Sequence, residues 1–347
     1  MRDVENNIIN NILSSKLPFQ KLKNRKILVV GCNGFICSSL IYYLDKIMEK
    51  KGYKIYFYGI AKKGKNNNYY LKKLIKKNKI KIFKTDINKK INLNIKPDYL
   101  LHGASVTSPK EYSSRCDEVL TTNAVGTINL LNFSVKKNTK KFIFLSSGEV
   151  YGDMKFYKKQ SFNETNFGEL NPSILTSNYG ISKKFAENAL ICWSKKFKLF
   201  TNSIRLFHTY GPGMKLKDGR VHSDLVNNMI SKENLLIKSG GKTKRSFCYI
   251  SDALSGIITV ILKSKKYEIY NLSNPFEMHS VKKVAEILQK SEKNNKLKIK
   301  ITKSDKRERN FFYRKPSINK LKKLGWTPKI SCKVGFKETI KHFRNLD

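Results

Sequence analysis

The sequence predicts an α/β protein whose main body is a doubly wound parallel β-sheet. The 347-residue chain alternates short apolar runs, rich in β-branched residues, with segments whose apolar residues recur at helical spacing. Strands buried on both faces of a parallel sheet give such runs, and the intervening helices imply right-handed crossovers. With 40% hydrophobic residues, the chain can bury a large core.

The predicted elements follow one another without an internal repeat or a low-complexity linker. In the first part, strands are expected at residues 26–31, 54–58, 80–84, 98–101 and 141–145, and helices at 38–50 and 118–134. The second part predicts a helix from Tyr179 to about residue 198, a strand at 202–207 and helices at 252–262, 281–289 and 334–343. A smaller α/β substrate-binding lobe is therefore expected to be interleaved with the sheet.

Charge and cysteine usage limit the classes of partner. The formal net charge is +44, but the lysines are spread along the whole chain and form no basic arm with interleaved aromatic residues. We interpret this charge as compositional drift that also attracts an anionic substrate, and we expect no nucleic-acid partner. The sequence contains no run of 18 apolar residues, so we expect no membrane span. The six cysteines are scattered and form no C-x-x-C pair, which predicts free thiols in the cytoplasm and no metal site.

A glycine-containing turn lies between the first predicted strand and helix. Gly31 allows the tight turn, and Gly34 lets the backbone approach a pyrophosphate at the helix N-terminus. No carboxylate follows the second strand, where Lys62 and Lys63 stand instead, so either ribose recognition is weak or these lysines bind the 2′-phosphate of NADP. Asp86, after the third strand, is a candidate for holding the adenine.

A proton-transfer unit is predicted at the end of the fifth strand and the start of the following helix. Tyr179 and Lys183 are four residues apart and so share a helical face, where the ammonium would lower the pKa of the phenol. Ser147 would hydrogen-bond the same substrate oxygen. The spacing alone is weak, because the chain contains 17 tyrosines and 70 lysines and arginines, and the surrounding motifs supply the specificity.

Several motifs together resemble the extended short-chain dehydrogenase/reductase family of nucleotide-sugar epimerases, dehydratases and decarboxylases. They are Gly31-x-x-Gly34-Phe35-Ile36, Asp86-Ile87, His102-Gly103-Ala104-Ser105, Asn123-x-x-Gly126-Thr127, Ser147 with Tyr179-x-x-x-Lys183, and Tyr210-Gly211-Pro212. The chain is most similar to the UDP-glucuronate decarboxylases, through Asn171-Pro172, Asp218-Gly219-Arg220-Val221, Arg314-Lys315-Pro316 and Leu324-Gly325-Trp326-x-Pro328. The likeness covers nearly everything from about residue 24 onward.

The resemblance implies roles for particular residues. The catalytic set would be Ser147, Glu149, Tyr179 and Lys183. NAD, with NADP possible, would be bound by Gly31, Asn33, Gly34, Phe35, Ile36, Lys62, Asp86, Ile87, Ala104, Ser105, Asn123, Tyr179, Lys183 and, through its backbone, His208. The nucleotide-diphosphate sugar would be bound by Ser108, Arg220, Arg245 and Arg314.

The resemblance also implies an architecture and an assembly. We expect an N-terminal extension over residues 1–23 and a Rossmann-type dinucleotide-binding domain over 24–206, to which 246–270 return. Residues 207–245 and 271–347 would form the nucleotide-sugar-binding lobe. Such enzymes pair through two long helices, here near 112–136 and 177–197, so a homodimer is expected.

One position departs from the family pattern. Gly148 stands where decarboxylases carry serine and hexose 4,6-dehydratases carry aspartate, whereas Glu149 is retained. We therefore expect an enzyme that works through a 4-keto sugar, first a UDP-glucuronate-decarboxylase-like lyase, then a hexose 4,6-dehydratase, then a 4-epimerase. A cofactor-binding regulator is the non-enzyme alternative, and the intact Ser147, Tyr179 and Lys183 argue against it.

Overall fold

A computed structural model describes residues 2–62, 68–154, 161–238, 240–265, 267–291, 297–302 and 315–346. Two predicted site residues, Lys63 and Arg314, lie outside the described residues. The strands are β1 (Lys26–Val30), β2 (Tyr56–Ala61), β3 (Ile80–Lys84), β4 (Tyr99–His102), β5 (Lys141–Ser147), β6 (Ser161–Phe162), β7 (Thr201–Leu206), β8 (Thr209–Tyr210), β9 (Leu235–Ile237), β10 (Lys244–Ser246), β11 (Cys248–Tyr249), β12 (Glu268–Leu272), β13 (Met278–Ser280), β14 (Ile299–Ile301) and β15 (Lys315–Pro316).

Twelve α-helices alternate with these strands in the described residues. They are α1 (Arg2–Leu13), α2 (Phe35–Lys50), α3 (Tyr69–Lys76), α4 (Glu111–Ser114), α5 (Cys116–Asn123), α6 (Val125–Lys136), α7 (Asn178–Phe197), α8 (Val221–Ile230), α9 (Ile250–Lys263), α10 (Val281–Gln289), α11 (Asn319–Lys323) and α12 (Cys332–Arg344). Short 3₁₀ turns occupy Phe19–Leu22, Gly148–Tyr151 and Leu175–Ser177.

The predicted doubly wound parallel sheet is confirmed. Seven strands pair in the order β12-β7-β5-β4-β1-β2-β3, and all of these pairs are parallel. The strand order reverses between β1 and β4, where Val30 is the register partner of both Ile60 and His102. The carboxyl ends of the strands at such a reversal form the crevice in which α/β proteins bind ligands.

Both faces of the sheet are buried, as the continuous apolar runs predict. Along β1, Ile27 and Val29 belong to one apolar cluster and Leu28 and Val30 to the other. Successive side chains of a strand point to opposite faces, so this division means that helices cover the sheet on both sides.

Two predicted elements need correction, and one helix was not predicted. Within the expected N-terminal extension, α1 buries Val4, Ile8 and Ile12 at a spacing of four residues and packs against α9 and α2. Its asparagine-rich polar face hid that spacing in the sequence. The long helix expected at 118–134 is divided at Ala124 into α5 and α6, and the second strand begins at Tyr56 and not at Lys54.

A second lobe lies beyond β7. Its small sheets pair β10 with β13 in antiparallel and β9 with β14 in parallel orientation, and α8, α10 and α12 pack around them. Residues 268–272 return to the main sheet as β12. The lobe boundaries at 206/207, 245/246 and 270/271 stay a prediction. Among the described residues, no helix has the length and apolar character needed to cross a bilayer.

Candidate active site

The turn after β1 has the shape of a dinucleotide cradle. Gly31 has φ +76°, and a Cβ atom placed on it would lie 2.7 Å from the backbone of Ala104, so only glycine fits there. Gly34 is the N-cap residue of α2, and no side chain forms a capping hydrogen bond there. The first N–H groups of α2 therefore remain available for an anionic ligand, and the residues present fit the pyrophosphate of a dinucleotide.

The neighbouring predicted cofactor residues lie around this cradle in a connected arrangement. The Lys62 ammonium is 3.3 Å from the Asp86 carboxylate. A hydrogen bond from the Asn88 N–H, together with Lys62, lowers the pKa of Asp86. Asn123 is fully buried and donates from Nδ2 to the Ser182 hydroxyl at 3.0 Å, which joins α5 to α7.

Ser147 and Tyr179 are brought together by the end of β5 and the first turn of α7. Burial raises the pKa of Tyr179 to about 12, hydrogen bonding with Ser147 lowers it, and the charge of Glu149 raises it. The Ser147 hydroxyl also accepts a hydrogen bond from the Glu149 N–H at 3.2 Å. The Ser147 hydroxyl and the Tyr179 phenol therefore lie next to each other in the folded chain.

Lys183 lies near the phenol and is hydrogen-bonded to the backbone of β5. Its Nζ atom donates to the Leu145 carbonyl at 2.9 Å and lies 5.7 Å from the centre of the Tyr179 ring. Because the side chain is only 1% exposed, burial lowers the pKa of Lys183 to about 7, partly offset by Glu187. The pKa of Tyr179 is raised and not lowered, because burial is the largest influence on the phenol.

Tyr112 is a site residue that the sequence reasoning missed. Its ring stacks on Tyr179 with the centroids 4.7 Å apart and the planes 11° from parallel. Asn178 holds this neighbour by donating from Nδ2 to the Tyr112 carbonyl at 2.7 Å. The only sequence signal was an aromatic residue shortly after Ser108, and no spacing linked it to the distant Tyr179.

Gly148 owes its identity to space and not to backbone strain. Its φ is not in the left-handed region, so other residues could adopt its conformation. However, a Cβ atom placed on Gly148 would lie 2.5 Å from Cε1 and 2.7 Å from Cδ1 of Phe207. The Phe207 ring therefore occupies the volume in which a serine or aspartate side chain would stand.

A group of cationic and imidazole side chains faces Glu149 on the lobe side of the site. Arg245 Nη1 lies 3.3 Å from His208 Nε2, and the charge of Glu149 opposes the lowering of the Arg245 pKa that burial causes. Arg220 forms an ion pair with Asp218 at 2.8 Å, and the Ser108 hydroxyl donates to the Asp218 carbonyl at 2.7 Å. The predicted substrate residues thus lie in one connected region, apart from Arg314, which is outside the described residues.

The site and fold together define a class of protein. The site combines a glycine turn at the reversal of strand order with a serine and a tyrosine beside a buried lysine. This combination is typical of nicotinamide-dinucleotide enzymes that transfer a proton and a hydride at a hydroxyl-bearing carbon. The comparisons agree, because the sequence profile described as the NAD dependent epimerase/dehydratase family matches residues 27–273. The chain belongs to this family, and the prediction of an NAD-using enzyme that modifies nucleotide sugars is confirmed.

Similar proteins cover most of the chain. UDP-glucuronic acid decarboxylase 3 from Arabidopsis thaliana is 30% identical over 325 residues, which cover 92% of this chain and 90% of that protein. UDP-glucuronic acid decarboxylase 1 from Xenopus tropicalis is 29% identical over 331 residues, covering 94% and 74%. UDP-glucose 4-epimerase from Thermotoga maritima has a similar fold, with a TM-score of 0.78, 24% identity and coverage of 92% and 99%.

Proposed function

We propose that this enzyme decarboxylates UDP-glucuronate through a 4-keto intermediate. The relatives that are 28–30% identical over more than nine-tenths of the chain are UDP-glucuronic acid decarboxylases. The observation that carries the proposal is the Arg245 guanidinium, which lies in the same charged region as Glu149, beside the Ser147 and Tyr179 pair. A guanidinium in a partly desolvated pocket is suited to a sugar carboxylate.

The side chains of the site divide the chemistry among themselves. NAD, when bound, would supply the redox chemistry at carbon 4, as the acceptor and later the donor of a hydride. Tyr179 takes the proton from the carbon 4 hydroxyl, while Ser147 hydrogen-bonds the same oxygen and holds it in line. The charge of Arg220 lowers the pKa of the Tyr179 phenol, against the effect of burial, and so favours its action as a base.

Carbon dioxide loss follows from the 4-keto group. A keto group at carbon 4 makes the carboxylate on carbon 5 a β-keto acid, whose carbon 5–carbon 6 bond breaks as its electrons pass to the keto oxygen. Carbon 5 then needs a proton, and we assign this task to Glu149, whose carboxyl group interacts with both Tyr179 and Arg245. Tyr179 finally returns its proton when carbon 4 is reduced, which closes a redox-neutral cycle.

The other candidate reactions make different demands on position 148. A hexose 4,6-dehydratase needs an acid for the departing hydroxyl, and the Phe207 ring fills the space where that acid would stand. A 4-epimerase needs no group at this position, so the Gly148–Phe207 contact keeps epimerisation as the second candidate. Epimerisation conserves the mass of the sugar, whereas decarboxylation does not.

Product masses test the proposal. Purified protein is incubated separately with UDP-glucuronate, UDP-glucose and dTDP-glucose, and we expect loss of carbon dioxide from UDP-glucuronate alone. Arg245→Ala should reduce the use of UDP-glucuronate by more than about tenfold while UDP still binds, because removing one partner of a desolvated charge pair costs about 2–5 kcal/mol. Arg25→Ala is the matched control, since Arg25 pairs with Asp98 just before β1 and β4, at the end of the strands opposite to the site. Mass-conserving conversion of UDP-glucuronate would replace the decarboxylase with an epimerase.

A cytoplasmic homodimer completes the proposal. Leu120, Val125 and Phe185 lie on α5, α6 and α7 and are each more than 40% exposed, which favours a contact between copies of these helices. All six cysteines are free thiols, as a reducing compartment favours. Leu120→Glu with Phe185→Glu should convert a dimer to a monomer in light scattering, whereas Ile75→Glu, an exposed apolar residue on α3, should leave the mass unchanged.

A further inference from the structure

His208 lies directly after β7 and contacts the arginine on which the proposed function depends. Its Nε2 atom is 3.3 Å from Arg245 Nη1. The backbone of His208 has φ +20°, an uncommon value for a residue with a side chain.

The contact determines the protonation state of the imidazole. A guanidinium has only donor groups, so Nε2 of His208 must be the acceptor and its proton must reside on Nδ1. Burial and the charges of Arg245 and Arg220 lower the pKa of His208 well below its usual value. His222, which also lies near Arg220, has a lowered pKa for the same reasons. The ring is therefore a neutral acceptor directed at Arg245.

Packing fixes the position of this acceptor. The His208 ring contacts Phe247 with the centroids 5.7 Å apart, and Phe247 is 1% exposed and itself packs against Phe336. The His208 carbonyl accepts a hydrogen bond from the Cys248 N–H at 3.2 Å. Both the side chain and the backbone of His208 are thus held by the strand region that carries Arg245.

We propose that His208 is a positioning residue that orients Arg245 and thereby makes the enzyme select acidic over neutral nucleotide sugars. By accepting from Nη1, the imidazole directs one end of the guanidinium and leaves the Nε and Nη2 edge for two parallel hydrogen bonds to a carboxylate. This inference rests on the proposed function, because it assigns Arg245 to the carboxylate of the substrate. It adds a residue that sets specificity without touching the substrate.

Direct binding measurements test this role without requiring turnover. Calorimetry compares UDP-glucuronate, UDP-glucose and UDP on the NAD-loaded wild type and on two variants, His208→Leu and His208→Asn. His208→Leu should weaken UDP-glucuronate binding by about tenfold, because a hydrogen bond to a charged group is lost, and should leave UDP-glucose and UDP within about twofold. His208→Asn should restore the preference, because its Oδ1 atom can accept from Arg245.

Two further variants separate orientation from general damage. His279→Leu is the matched control, since His279 is the register partner of Arg245 on β13 but its ring contacts Glu277 at 2.8 Å. It should leave the preference for the acidic sugar unchanged. In an Arg245→Ala background, His208→Leu should have no additional effect on that preference.

The outcomes distinguish this inference from the proposed function. Equal losses for all three ligands, or a His208→Asn variant as impaired as His208→Leu, would overturn the positioning role while leaving the proposed function in place. A wild type that binds UDP-glucuronate no more tightly than UDP-glucose would overturn both. Retained UDP binding by His208→Leu shows that the variant is folded, so a selective loss cannot be attributed to unfolding.

Discussion

Replacing Gly148 by alanine is the sharpest test of how the site is shaped. The new methyl group would lie 2.5 Å from Cε1 of Phe207, and Cβ atoms essentially never approach a neighbour so closely. The backbone itself permits alanine, since Gly148 has no positive φ. Any loss of stability therefore reports the contact with the ring and not a strained turn.

The magnitude follows from the packing around Phe207. Its ring is half-buried and lies 6.1 Å from Phe162 and 6.2 Å from Tyr151 between ring centres, so it cannot withdraw freely. Inserting a methyl group into such packing costs about 1–3 kcal/mol in the free energy of unfolding. For a chain of this size, that cost corresponds to a lower melting temperature by roughly 2–10 °C.

A double-mutant cycle with Phe207→Leu is the assay, measured by thermal and urea unfolding. The branched leucine lacks the Cε1 and Cζ atoms that crowd Gly148, so the double variant should be more stable than the two single changes predict by about 1 kcal/mol. Gly126→Ala is the matched control, since its Cβ would lie 2.7 Å from Ile87 and not from Phe207. Additive changes for Gly148→Ala and Phe207→Leu would refute the reasoning.

Three other predictions concern the phenol, the cofactor and a buried lysine. Tyr179→Phe should lower turnover by about 10²–10⁴ and leave nucleotide-sugar affinity within a few-fold in calorimetry, because the phenol transfers a proton; near-normal turnover would remove it from the mechanism. Lys62→Asp should weaken NADP more than NAD in competition binding, since the Lys62 ammonium is 54% exposed beside Asp86, and an unchanged NADP affinity would contradict a phosphate contact. Lys141 caps the C-terminus of α9 through bonds to Ile261 and Ser264, and burial lowers its pKa to about 8. The unfolded chain keeps the Lys141 proton up to the ordinary lysine pKa of about 10.4, so the free energy of unfolding should rise between pH 8 and 9.5. This rise should be smaller in Lys141→Met, and identical slopes for the two proteins would contradict the assignment.

The main sheet and the cofactor turn could be predicted from the sequence because their signals are local. A run such as Lys26–Val30 followed by Gly31 and Gly34 contains both the strand and the turn in adjacent residues. Ser147, Tyr179 and Lys183 were also predicted, since the end of β5 and the start of α7 are each recognisable from nearby residues. The helix α1 was missed, because its polar face outweighed three buried residues in the composition.

Short spacings along the chain thus predicted the fold class, the glycine-containing cofactor turn and the candidate proton-transfer residues. The contacts between distant segments are seen only in the folded chain. They are the stacking of Tyr112 on Tyr179, the Phe207 ring in the space beside Gly148, and the contact between Arg245 and His208. Burial also raises the pKa of Tyr179, and burial depends on everything packed around the phenol and not on the spacing to Lys183. Free energies of desolvation and packing arise from three-dimensional neighbours, which no pattern along one chain specifies.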